Sequence, residues 1–201
     1  MALFKPEVKE KVSFSGMCEC NIVGFEDKSA DYEWADACIN VSVKQKGSDY
    51  TRLLQIKGSI DKDASTGLVT GGDFFNRLYR FFKVINCDAG INIKGDWEDG
   101  SGEAIMDIAD YLTGRFAVDE KAVTDFPYLG YFFKSQPRTP GGDSFNRAIG
   151  ALVHNNNEGR AELQSDVDWR KQKGYLKEFD ASAPIVDSVA AELDGLALGN
   201  M

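Results

Sequence analysis

The chain has 201 residues, of which 43 % are hydrophobic and 27 % charged, and its net charge is -9. That size and apolar fraction suit one good-sized domain with a real core, and no apolar run approaches the roughly 18–20 residues of a membrane span. The negative balance disfavours coating nucleic acid by bulk charge, but it leaves room for a local basic groove, because screening confines an exposed charge to roughly 10 Å.

The first residues, "MALFKPEVKEKV", place charges where an export signal needs an apolar stretch. The expected compartment is the cytoplasm (a host cell's, for a viral protein), where Cys18, Cys20, Cys38 and Cys87 stay reduced. Their spacing around the single histidine, His154, does not match a zinc site, so they read as small core residues. In "KVSFSGMCECNIVGF", Val12, Phe14, Cys18, Cys20 and Ile22 alternate with polar residues, which predicts a half-buried strand over 11–23 with a bulge or bend at Gly16. The loop "EDKSADYE" follows. "ACINVSVKQK" puts Ile39, Val41 and Val43 on one face of a second strand, and "YTRLLQIKGSI" makes a third after a "GSD" turn. Local connections make these three a meander.

"DKDASTGLVTGG" resembles the start of a calcium loop, but Gly67 and Gly72 fall at the wrong positions, so a solvated turn is expected. "GDFFNRLYRFFKVIN" predicts a helix with Asp73 as N-cap and a stripe of Phe74, Leu78, Phe81 and Ile85, widened by Phe75 and Phe82. The turn cluster "DWEDGSGE" leads into a short helix over "EAIMDIADYL", closed by Thr113-Gly114. The acids Asp96, Glu98, Asp99, Glu103 and Asp107 could be drawn as a metal site, and Asp96, Glu98, Asp99 and Asp107 are the one cluster that a metal-dependent nuclease would use; on position they read as wet loop and helix residues.

"DFPYLGYFFK" and "SFNRAIGALVHN" read as two strands around the finger "SQPRTPGGD", too long for a two-residue hairpin turn. "EGRAELQSDVDWRKQKGYLKEF" reads as mixed, strand then turn. The last residues carry Asp180, Asp187, Glu192 and Asp194 and no base, with Ile185, Val189, Leu193 and Leu196 at helical spacing.

Three meander strands, a helix, an insertion and a two-strand hairpin give the element order of an OB-fold barrel. The expected fold is mainly β (α+β): a five-stranded OB-fold-like barrel with a helix between strands three and four, a helical insertion and a C-terminal extension. The expected organisation is a single domain over 1–180, interrupted at about 87–126, followed by an acidic tail at 181–201. That fold binds oligonucleotides or sugars on strands two and three and on the 1–2 and 4–5 loops. The finger region, residues 131–150, carries three cations and one acid in an acidic chain. Tyr131, Phe133, Lys134, Arg138 and Arg147 therefore read as a stacking and phosphate-contacting element, with Phe145 beside them. Tyr32 and Trp34 in the 1–2 loop, and Lys44, Lys46, Arg52 and Lys57 on strands two and three, complete the candidate interface.

This layout resembles the small single-stranded DNA-binding proteins of bacteriophages, which are compact acidic OB-folds with elaborated loops and a free acidic C-terminal tail. "VDWRKQKGYLKEF" is similar to their closing segment. The resemblance implies a non-enzymatic protein that holds single strands during replication or recombination, without a cofactor, and whose tail engages replication proteins. A homodimer is compatible with it. The tail departs from the family pattern by ending "ELDGLALGNM" rather than in an aromatic residue. No GxGxxG, phosphate loop or GxSxG occurs. The alternatives are a non-enzymatic phage structural or assembly protein and, behind it, the nuclease.

Overall fold

The computed structural model describes residues 14–33, 35–137 and 142–179. In chain order the strands and helices are β1 Gly16–Asp27, β2 Ala37–Gln45, β3 Thr51–Gly58, a small hairpin of β4 Asp61–Lys62 and β5 Val69–Gly71, then α1 Asp73–Ile85. A second small hairpin, β6 Gly90–Ile91 and β7 Trp97–Glu98, precedes α2 Ile108–Phe116, β8 Tyr128–Lys134, β9 Asn146–His154 and α3 Asn157–Gln172. The main sheet has the order β3-β2-β1-β8-β9, and each neighbouring pair is antiparallel. β3 and β9 therefore run in the same direction, and they approach to nearly close a five-stranded barrel. At the seam, a Cβ on Gly150 of β9 would stand 2.5 Å from the Gln55 carbonyl oxygen of β3. The described residues are thus mainly β, an OB-fold-like barrel with three α-helices.

Alternation fills the barrel as the sequence predicts. Cys20, Ile22, Ile39, Val41, Val43, Leu54 and Ile56 point inward and are buried. The helix after the third strand plugs this core with Phe74, Leu78, Phe81, Phe82 and Ile85. At about 2 kcal/mol per large apolar side chain, that face contributes roughly 10 kcal/mol before chain entropy is counted. Gly72, not Asp73, is the N-cap residue. Only glycine fits there, because φ is 133° and a Cβ would lie 2.2 Å from the Ser59 carbonyl oxygen. Asp73 still anchors the start of α1, accepting from Ser59 N at 2.8 Å.

Three expectations are corrected. The irregularity of β1 lies between Ile22 and Gly24 rather than at Gly16, which opens the strand at φ 90°. Beyond Cys20, β1 leaves β8 and takes α2 and the following segment instead: Val118 N donates to Ile22 O at 3.0 Å, and Phe25 N to Thr113 Oγ1 at 3.3 Å. α2 starts later than 103 and runs through Thr113 and Gly114, because Asp107 is its N-cap, accepting from Asp110 N at 2.9 Å. The segments 61–72 and 96–103 are not plain turns but contain or border the two small hairpins, with Asp63 accepting from the backbone at the tip of the first and Asp99 in the turn that follows the second.

The largest correction is α3, where strand and turn were expected. Asn156 caps it, accepting from Gly159 N at 2.7 Å. Only Gly159, Leu163 and Val167 are buried along it, a stripe one residue wide. α3 lies on the outer surface of β8 and β9 and builds a second core there from Leu129, Tyr131, Ile149, Val153, Leu163, Val167 and Leu176. Gly159 permits that approach, since a Cβ would meet the His154 carbonyl oxygen at 2.1 Å. All four cysteines are free; burial pushes the Cys20 thiol up to about 12.

Candidate functional site

The outer surface of β2 and β3 is the face of the barrel away from α3. Because Val41 and Leu54 turn inward, their neighbours Asn40, Ser42, Lys44, Leu53, Gln55 and Lys57 turn out. Leu53 is 53 % exposed in the middle of this face. At the end nearest the 1–2 loop a polar ladder forms. Gln55 Nε2 donates to Tyr32 Oη at 2.7 Å and to Asn40 Oδ1 at 3.0 Å, and Lys57 Nζ donates to Gln55 Oε1 at 3.0 Å. The Lys57 ammonium also sits 4.7 Å from the centre of the Tyr32 ring. Tyr32 and Lys57 are therefore brought together, and Gln55, which composition alone did not single out, joins them.

At the opposite end the expected cations are paired with acids. Lys44 Nζ lies 3.1 Å from Glu120 Oε1, to which Thr51 Oγ1 donates at 2.7 Å. The Thr51 hydroxyl, and then Lys44, hold the Glu120 carboxyl below its ordinary range. Lys46 Nζ is 2.6 Å from Glu19 Oε2. Arg52 shares the face of Val43 rather than that of Lys44, at the mouth of the barrel. Its guanidinium lies 5.6 Å from the Tyr50 ring centre. Burial raises the nearby Cys18 thiol, and the Arg52 charge partly offsets this.

The finger is closed at its base by Ser135 N donating to Phe145 O at 2.8 Å. Lys134 and Arg147 are exposed there, and Phe145 is 59 % exposed. Trp34 and Arg138 lie outside the described residues.

Tyr131 and Phe133 are corrected as stacking platforms. Tyr131 is 8 % exposed and Phe133 is partly buried, both in the core beneath α3. Strand alternation correctly turns them away from the barrel interior, where Phe132 sits, but α3 covers that outer side as well. The Tyr131 hydroxyl donates to Glu178, and Lys171 Nζ lies 3.0 Å from the same carboxylate. Burial pushes the Glu178 carboxyl up, but the Tyr131 hydrogen bond and the Lys171 charge overcome it, and the net shift is downward. A lowered carboxyl stabilises the fold above the ordinary glutamate range, and that contribution fades as pH falls through it, near ~4.3 and below. Glu178→Gln should therefore melt below wild type at pH 7, and the gap should narrow as the pH falls through and below the ordinary glutamate range. Equal melting temperatures at pH 7, or a gap that persists in acid, would contradict this. The group is partly exposed, so the effect should stay within about 1 kcal/mol.

The acids that a nuclease would use have local roles. Asp99 accepts from Ser101 N at 2.9 Å and Glu103 N at 3.0 Å, and Asp107 caps α2. Among the described residues no three His, Cys, Asp or Glu side chains gather as a metal site, and no helix is long and apolar enough to cross a membrane. No protein-family model, curated protein or solved structure matches the chain.

Proposed function

We propose that this is a single-stranded DNA-binding protein of bacteriophage type, which protects single strands during replication or recombination by base stacking and backbone contacts. One observation carries the reading. On an OB-fold-like barrel, the helices cover other surfaces and leave the β2–β3 outer face accessible, with Tyr32, Lys57, Gln55 and Leu53 upon it. The finger adds Lys134 and Arg147, neither of which pairs with a carboxylate among the described residues. Single strands are held by this combination of rings and cations along a groove. The protein acts without catalysis, in the cytoplasm of a host cell. The acidic segment 181–201, outside the described residues, engages replication proteins.

The alternative, a non-enzymatic assembly protein, is favoured by the pairing of Lys44 and Lys46 with Glu120 and Glu19, which lowers the net positive charge near the strands. A titration of fluorescent oligo-dT about 30 nucleotides long, longer than a single OB-type site, separates the readings. It should be run at low and moderate salt, with and without magnesium. Tight, salt-sensitive binding without cleavage is the expected result. Absence of binding supports the assembly protein, and magnesium-dependent cleavage the nuclease.

A further inference from the structure

Beyond the barrel, the end of α3 and the chain after it present exposed rings in sequence. Gly174, at φ 72°, turns the chain out of α3. Residues 177–179 then pair antiparallel with the base of the finger: Gln136 N donates to Lys177 O at 3.1 Å, and Phe179 N to Lys134 O at 2.7 Å. Exposure alternates along this segment. Leu176 is buried and Glu178 turns in to Tyr131 and Lys171, while Tyr175, Lys177 and Phe179 face solvent. Tyr175 is 70 % exposed and packs against Trp169 of α3, itself 48 % exposed, with ring centres 5.5 Å apart. Phe179 is 41 % exposed, with Lys134 Nζ 5.0 Å from its ring centre.

Three large exposed rings within eleven residues of chain, two of them in contact, need a reason, because each forgoes burial that a folded chain ordinarily secures. The charges beside them give one. Lys134, Lys173 and Lys177 pair with no carboxylate among the described residues, unlike Lys44 and Lys46. The acids of this region are engaged: Glu178 with Lys171 and Tyr131, Asp166 with Arg170, and Asp168 with Gln164. Asp168 keeps its charge beside the neutral Gln164 amide, so the surface offers three unpaired lysines against that one carboxylate, interleaved with stacking faces.

We propose that Trp169, Tyr175 and Phe179, with Lys134, Lys173 and Lys177, form a second contact for single-stranded nucleic acid, continuous with the base of the finger. Rings stack unpaired bases and lysines meet phosphates. This rests on the reading of the protein as a single-strand binder and extends it to a surface outside the barrel. A strand held at the finger passes Lys134 and continues onto Phe179 and Tyr175, so the strip adds affinity only for oligonucleotides long enough to reach it.

The test compares oligo-dT of about 8 and about 30 nucleotides, within and beyond one OB-type site, against the full chain and its Tyr175→Ala, Trp169→Ala and Lys177→Ala variants. These side chains are exposed, and melting curves confirm that each variant folds. The ring variants should lose roughly 5- to 100-fold affinity for the long strand and little for the short one. Lys177→Ala should flatten the slope of log affinity against log salt by roughly 0.7. Wild-type binding with all three variants unchanged overturns the strip alone. No binding by wild type overturns the parent reading and the strip together. A change of oligomeric mass in Tyr175→Ala, with DNA binding intact, would assign the rings to a contact between copies of the chain and overturn the proposal.

Discussion

Phe74→Ala should lower the melting temperature by roughly 6–20 °C, the largest drop of any single truncation in α1. Phe74 is fully buried at the head of the helix that plugs the barrel, and its ring meets Trp97 edge-on at 6.4 Å. Truncating a buried phenylalanine costs about 3–5 kcal/mol, because the transfer energy is lost and the cavity only partly collapses. At this chain length each kcal/mol is worth roughly 2–4 °C. Tyr79→Ala is the control: Tyr79 lies on the wet side of the same helix, 72 % exposed, and should shift the midpoint by no more than about 2 °C. A Phe74→Ala midpoint within 2 °C or so of wild type would mean that α1 does not plug the barrel.

The second large effect is expected at Gly150. The atom that a new Cβ would strike is the backbone oxygen of Gln55, which cannot swing aside as a side chain can. Gly150→Ala must therefore push β9 away from β3. Overpacking of this kind costs about 1–3 kcal/mol, or roughly 2–12 °C. Gln55 is also the residue that holds Tyr32 and Lys57 in place. The same substitution should thus weaken oligo-dT binding in protein that is still folded at low temperature. Gly24→Ala makes the comparison fair, since its Cβ would meet only the Ser42 Cβ at 3.8 Å. Equal midpoints for the two variants would show that the seam is looser than described.

How far the sequence could be read depended on how regularly burial recurs in it. Apolar residues recur at every second position in β1, β2 and β3, and α1 buries a wide aromatic stripe, so period two and period 3.6 both stand out. α3 buries only Gly159, Leu163 and Val167 across four turns, and the rest of it is polar. Such a helix is held by what it lies on, which leaves almost no trace in local pattern. Missing α3 had a direct consequence for the candidate site. Alternation tells which side chains leave the barrel interior but not whether something covers them, and so Tyr131 and Phe133 read as platforms. The ion pairs were hidden for a related reason. Glu120 and Glu19 reach Lys44 and Lys46 from distant parts of the chain, and nothing near either lysine announces them.

The seam between β3 and β9 is held by close approach rather than by a hydrogen-bonded ladder. Each of these strands is therefore an edge, and each shields the other from pairing with a foreign strand. Amide hydrogen exchange should register this arrangement. Outward-directed amides of β3 and β9 along the seam should exchange well before those of β2, which is laddered on both sides from Ile39 to Lys44. The barrel would then open along one line, by the parting of two staves, while its three central strands stay shut.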